Sequence, residues 1–209
     1  MSRGVRLRYF DLRGRAELIR LIYAYGGKSL EEVTVPMSRE FIALKPSLPF
    51  KQLPVLDIDG KTYSQSIALA RYAAKQHGLY PRDDDVAALE VDMLADSIDE
   101  SIVTPIIRWC FQERNEDVKA KQIQRLQDKT LPTVLSGLHD RVQGKFFLGD
   151  TVSMADISFY NAHANFLLPW ADTLPIGWTQ FPKLTHLSAA VARLPLIAKY
   201  AAQRRPSKI

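Results

Sequence analysis

The residues best equipped for chemistry come first in the chain. In "LRYFDLRGRAELIR" a phenol, Tyr9, closes a run in which Val5, Leu7 and Tyr9 alternate with Arg6, Arg8 and Phe10. An Arg-Gly-Arg triplet ending at Arg15 opens a helical pattern directly behind it. A phenol O–H donates to an anion, and a guanidinium nearby favours the same charge. A tyrosine on a half-buried strand also serves packing alone. Further on, "SQS" starts another helical pattern, where Gln65 and Ser66 bring free backbone N–H groups and the positive end of a helix dipole. That suits a carboxylate, and it equally suits a plain N-cap. "KQLP" sets Pro54 at the head of a strand, where its missing N–H costs no ladder bond. Asp92, Asp96, Asp99 and Glu100 fall near one face of a helix, the usual signature of a solvated face. They show no alternating ligand geometry, so no metal is expected. The single cysteine, Cys110, excludes an internal disulfide, a Cys-based metal cluster and a Cys-x-x-Cys redox pair.

The elements that must position these groups fall into two halves. At 209 residues the chain can form one large domain or two small ones. The net charge of +5 favours small anions, but no element clusters Lys and Arg between aromatics, so nucleic acid is not expected. The one dense basic stretch, "QRRPSKI" at the end, reads as a solvated terminus. No window approaches the roughly 20 apolar residues of a membrane span. The start lacks an apolar signal core, which points to the cytosol.

Residues 1–78 read β-α-β, a connecting segment, then β-β-α. Gly26-Gly27 stops the first helix, Pro36 ends the second strand, and Asp59-Gly60 is a strong hairpin signal. Residues 79–86 read as a linker, and residues 87–209 as wholly helical. There the first pattern carries apolar residues at Val86, Leu89, Met93 and Val103, with a kink at Pro105. A second long pattern covers residues 118–142. The third opens with Ser153 and Asp156 at capping-box spacing and Val152 and Ile157 as a hydrophobic staple. The expected fold is a thioredoxin-like α/β unit followed by an all-α unit.

Four stretches, "YFDLRGRAELIR", "LPFKQLPVL", "DGKTYSQSIALARYAA" and "LGDTVSMADI", carry a resemblance across essentially the whole chain. Together they resemble the cytosolic glutathione transferases, of the tyrosine type, nearest to sigma class, with pi, mu and alpha as close relatives. The resemblance implies that Gln65 and Ser66 hold the γ-glutamyl carboxylate of glutathione. It implies a cis Leu53–Pro54 bond that presents backbone to the cysteinyl amide, with Gln52 and Leu53 lining the site. Lys45 matches the lysine that meets the glycyl carboxylate, and Phe41 stands where many relatives carry tryptophan. Glu100, with Asp99 next door, aligns with an aspartate that reaches the partner subunit's glutathione. Tyr9 and Arg15 become the catalytic pair.

A thiol of pKa about 8.5 is only about 3% ionised at pH 7, and the thiolate is the nucleophile. Lowering that pKa by two units raises the ionised fraction roughly 25-fold and costs roughly 8-fold in nucleophilicity. Most of the rate must therefore come from holding an electrophile beside the sulfur. The electrophile pocket is expected from Tyr9, Phe10 and Leu12 facing Ile106, Trp109, Cys110 and Phe111, with Trp170 or Trp178 closing it. A homodimer is implied, in which Phe50 enters a pocket built from Met93, Leu94 and Ser97, with Leu131 and Val134 opposite. The implied function is conjugation of glutathione to hydrophobic electrophiles, as in detoxification. The alternatives are a glutathione-dependent prostaglandin-type isomerase and a non-catalytic crystallin-like or ligand-binding relative.

Overall fold

The computed structural model describes residues 4–204. Strand β1 (Val5–Tyr9) leads through a short 3-10 turn, Gly14–Ala16, into α1 (Glu17–Tyr25). Strand β2 (Glu31–Thr34), helix α2 (Arg39–Leu44) and the hairpin of β3 (Val55–Ile58) and β4 (Lys61–Ser64) follow, then α3 (Ser66–Gln76). The four strands form one mixed sheet in the order β2-β1-β3-β4. β1 is parallel to β2 and antiparallel to β3. Asp59 and Gly60 both take positive φ, +50° and +79°, as a two-residue hairpin turn with right-twisting strands requires. In β1 the alternation buries Leu7 and Tyr9 and leaves Arg6 and Arg8 to pair with Glu31 and Asp57.

The second half holds α4 (Asp85–Ile98), α5 (Thr104–Phe111), α6 (Glu116–Arg125), α7 (Leu131–Asp140), α8 (Met154–Ala162), α9 (Pro182–Ala192) and α10 (Pro195–Gln203). α4 begins inside the stretch read as linker, because the Asp84 side chain caps it by accepting from the Val86 and Ala87 amides at 3.0 and 2.9 Å. α8 is the hub: it packs on α1, α4 and α9. Its capping box has the Asp156 carboxylate accepting from the Ser153 amide and hydroxyl and from the Phe147 amide, each at 2.8 Å. No helix among the described residues is long and apolar enough to cross a membrane.

Three expectations change. The bend near Pro105 is a π turn, Asp99–Val103, and π turns recur at Leu126–Thr130 and His163–Leu167. Each ends two residues before a proline, Pro105, Pro132 or Pro169. A proline ring collides with the carbonyl four residues back, and the wider turn gives that carbonyl room. Second, the stripe of Val86 and Leu89 is not the buried face of α4: they are 75% and 67% exposed, while Val91, Leu94, Ala95 and Ile98 are buried. Third, the acidic run is not a merely solvated face. Arg71 on α3 pairs with Asp92 at 2.5 Å and Asp96 at 3.2 Å, Tyr80 donates to Asp92 at 2.7 Å, and Arg15 takes Asp99. These pairs join the two halves. The tail also differs at its first arginine: Arg204 pairs with the buried Glu17 at 3.2 Å. The tail's remaining residues lie outside the described ones.

Candidate active site

Between the sheet and α5 lies a cavity of about 540 Å³. Tyr9 lines it from the end of β1, buried, with its hydroxyl accepting the Arg15 amide N–H at 3.0 Å. Burial pushes the phenol's pKa up; the Arg15 amide and the charges of Arg15 and Arg20 pull the other way without overcoming it. Tyr9 therefore stays protonated at neutral pH. With its oxygen already accepting, its own proton remains available to donate.

The polar side of the cavity comes from the α/β half. Lys45 lines it with its ammonium 4.9 Å above the Phe41 ring, and Phe41 meets Phe10 edge-on at 4.9 Å. Gln52, Leu53 and Pro54 follow, with the Leu53–Pro54 bond cis. Gln65, at φ +77°, and Ser66 bring the start of α3 to the same wall, and among the described residues no side chain caps that helix. Its first amides are thus a ready anion site. The lining thus combines the Lys45 ammonium and the first amides of α3, both suited to anions, with the Tyr9 phenol.

The apolar side comes from Phe10 and Leu12 and from one face of α5: Thr104, Ile107 and Phe111. This corrects the expected pocket. Ile106 and Trp109 are buried in the helical core, Trp109 with its ring 4.8 Å from Trp170, and Cys110 lies half-buried outside the lining. Burial pushes the Cys110 thiol up to about 11, which favours the neutral thiol at pH 7. Trp170 and Trp178 do not line the cavity, and Trp178 packs on His163 at 4.4 Å. The reason is phase. The π turn shifts the helix before α5 starts, so the face that meets Tyr9 falls on Ile107 rather than Ile106. The 104/107/111 spacing was visible as a helical stripe; Met37, Lys51 and Gln112, which also line the cavity, gave no signal.

The Arg15 guanidinium reaches across to the helical half, to Asp99 at 3.3 and 3.4 Å and to the Thr104 hydroxyl at 2.8 Å. Glu100 is exposed and lies outside this cavity's lining. Phe50 is 63% exposed at the cavity's edge. Met93, Leu94, Ser97 and Val134 line a separate groove of about 490 Å³ between α4 and α7, and Leu131 is buried beneath the surface.

The sheet order, the helical second half and the cavity at their junction define a class. Residues 5–75 match the pattern of "Glutathione S-transferase, N-terminal domain", and residues 100–204 that of "Glutathione S-transferase, C-terminal domain". The chain is 34% identical over 203 residues to hematopoietic prostaglandin D synthase of Gallus gallus, covering 96% of each. It is 34% identical over 157 residues to glutathione S-transferase S1 of Drosophila melanogaster, covering 72% of this chain and 60% of that one. The solved structure of the rat hPGDS complexed with a quinoline superposes with a TM-score of 0.85 at 29% identity, over 98% of this chain and 99% of that one. The chain belongs to the glutathione S-transferase family and is an enzyme of it, and glutathione is that family's substrate.

Proposed function

We propose that this enzyme ionises the thiol of glutathione against the Tyr9 hydroxyl and directs the thiolate at a hydrophobic electrophile held along α5. One observation carries the reading: a buried phenol, its oxygen fixed by the Arg15 amide, lines a cavity that has both polar and apolar residues in its wall. Gln65 and Ser66 hold the γ-glutamyl carboxylate, Lys45 the glycyl carboxylate, and the backbone before Pro54 the cysteinyl amide. The thiol proton passes to solvent water, and the Tyr9 O–H donates to the sulfur anion that is left. The thiolate attacks the electrophilic carbon, a C–S bond forms, and the leaving group departs with the bonding electrons. Phe10, Leu12, Ile107 and Phe111 orient the electrophile and exclude water. The working form is a cytoplasmic homodimer, with Glu100 reaching toward the glutathione of the partner subunit.

A second reading rests on the 34% identity to a protein named prostaglandin D synthase: a glutathione-dependent isomerisation of a prostaglandin-type substrate on the same thiolate. Conjugation consumes glutathione and isomerisation returns it. Titration of free thiol beside product formation, with an aryl halide and with a prostaglandin endoperoxide, separates the two. Tyr9→Phe tests what both share. It is expected to leave glutathione affinity within about threefold while turnover at pH 7 falls by at least about tenfold, the loss of one charge-assisted hydrogen bond. Unchanged turnover with an unchanged pH profile would make Tyr9 a packing residue.

A further inference from the structure

Asp99 and Thr104 are five residues apart. On an α-helix, at about 100° per residue, they would point about 140° away from each other. Here the π turn Asp99–Val103 intervenes, and the Thr104 amide bonds back to the Asp99 carbonyl in the five-residue pattern of such a turn. The two side chains therefore share a face, and the Thr104 hydroxyl donates to the Asp99 carboxylate at 3.1 Å. That pair receives the Arg15 guanidinium: Nη1 on Asp99 and Nη2 on the Thr104 hydroxyl. Asp99, as countercharge at 3.3 Å, offsets much of the guanidinium's reach toward an anion in the cavity. What the contact does fix is position. The Arg15 side chain is anchored on the helical half, and its amide holds the Tyr9 oxygen.

We propose that Thr104 is a positioning residue: with Asp99, on a π turn that aligns them, it docks Arg15 and thereby registers the Tyr9 hydroxyl against the electrophile wall of α5. The same helix carries Ile107 and Phe111, so one joint sets both the nucleophile's hydrogen-bond donor and the surface its partner lies on. Thr104 is also the sole hydroxyl among the cavity-lining residues of α5. The proposal rests on the thiolate reading above and deepens it.

The test uses Thr104→Val, which keeps the branched shape, and Thr104→Ser, which keeps the hydroxyl. Thr104→Val is expected to lower kcat/KM for a generic aryl halide about tenfold at saturating glutathione. It should also move the midpoint of the bound thiolate's ultraviolet absorbance upward in pH, with the KM for glutathione within about twofold. Thr104→Ser is expected to restore most of both. Asp99→Asn gives a test of sign. If Arg15 acts as a free charge, removing its counterion lowers the thiol pKa and raises activity. If the trio is a joint, activity falls and the midpoint rises. The proposal is overturned by a Thr104→Val enzyme like wild type, by a Ser variant no better than the Val variant, or by a gain in Asp99→Asn. Tyr9→Phe on the same preparations separates the two levels. A large Tyr9→Phe effect beside a silent Thr104→Val sinks the joint alone, and a silent Tyr9→Phe sinks the thiolate reading itself.

Discussion

A Cβ added to Gly14 would stand 2.5 Å from the Tyr9 hydroxyl oxygen and 2.6 Å from Cδ1 of Leu12. Gly14 also takes φ +44°, in the left-handed region where a side chain is strained. The Arg-Gly-Arg triplet thus has a steric reason for its middle residue: its missing side chain is the space that the Tyr9 hydroxyl occupies. Gly14→Ala should push the phenol off its line to the sulfur and lower kcat/KM by at least about tenfold, equivalent to about 1.4 kcal/mol of transition-state stabilisation. In a Tyr9→Phe background the oxygen is gone, so most of the further loss should vanish. Strictly additive effects in that double-mutant cycle would mean that Gly14 matters through backbone strain or the Leu12 contact and not through the Tyr9 hydroxyl.

His163 is expected to give the helical half a pH dependence. It lies against the Phe159 and Trp178 rings, with Nδ1 2.8 Å from the Ser188 hydroxyl, and burial pulls its pKa down to about 4 from 6.5. A histidine with a depressed folded-state pKa binds its proton more readily when unfolded. Its contribution is fully present above pH 6.5 and is lost as pH falls toward 4. The depression corresponds to roughly 3 kcal/mol across that window. Urea unfolding from pH 7 to pH 4 should show this loss in wild type and a flatter slope in His163→Gln. Equal slopes in the two proteins would show that other groups carry the acid sensitivity.

Much of the architecture was legible because local signals agreed with one another. Gly26-Gly27, Pro36 and Asp59-Gly60 each act on the backbone within a residue or two, and the strand alternation needs only the next residues. The Ser153–Asp156 capping box was readable for the same reason. The electrophile wall was not, because its phase depends on a π turn formed three residues ahead of Ile106 under the constraint of Pro105. The resemblance places Ile106 and Trp109 at a cavity that Ile107 lines instead. The acidic face of α4 misled differently. Its partners, Arg71 and Arg15, come from the other half of the chain, and no local pattern announces a pairing across 21 or 84 positions. The Val86 and Leu89 stripe is apolar, yet the single chain buries the opposite face of α4.

That exposed stripe bears on the last prediction, which concerns Phe50. It is 63% exposed, so it does not fold into its own domain's core. An isolated exposed phenylalanine needs no explanation. Here, though, Val86, Leu89 and Met93 also stand exposed along α4, at spacings of three and four that make one helical face. The groove between α4 and α7 lies beside them, with Met93, Leu94 and Val134 in its lining and Arg125, Lys129 and Arg141 along it. A second copy of the chain, related by a two-fold axis, would bring each Phe50 to the other's groove and cover both faces at once. Burying a phenylalanine is worth roughly 1.5–3 kcal/mol, and the axis counts it twice. Phe50→Ala is therefore expected to weaken the dimer by about 3–6 kcal/mol on that reckoning. Sedimentation velocity over a dilution series should show monomer at concentrations where wild type stays paired. Activity should fall in step with dissociation, because Phe50 borders the cavity. A variant as tightly dimeric as wild type would show that the α4 face, and not Phe50, holds the subunits together. A wild-type chain that sediments as a monomer would overturn the pairing altogether.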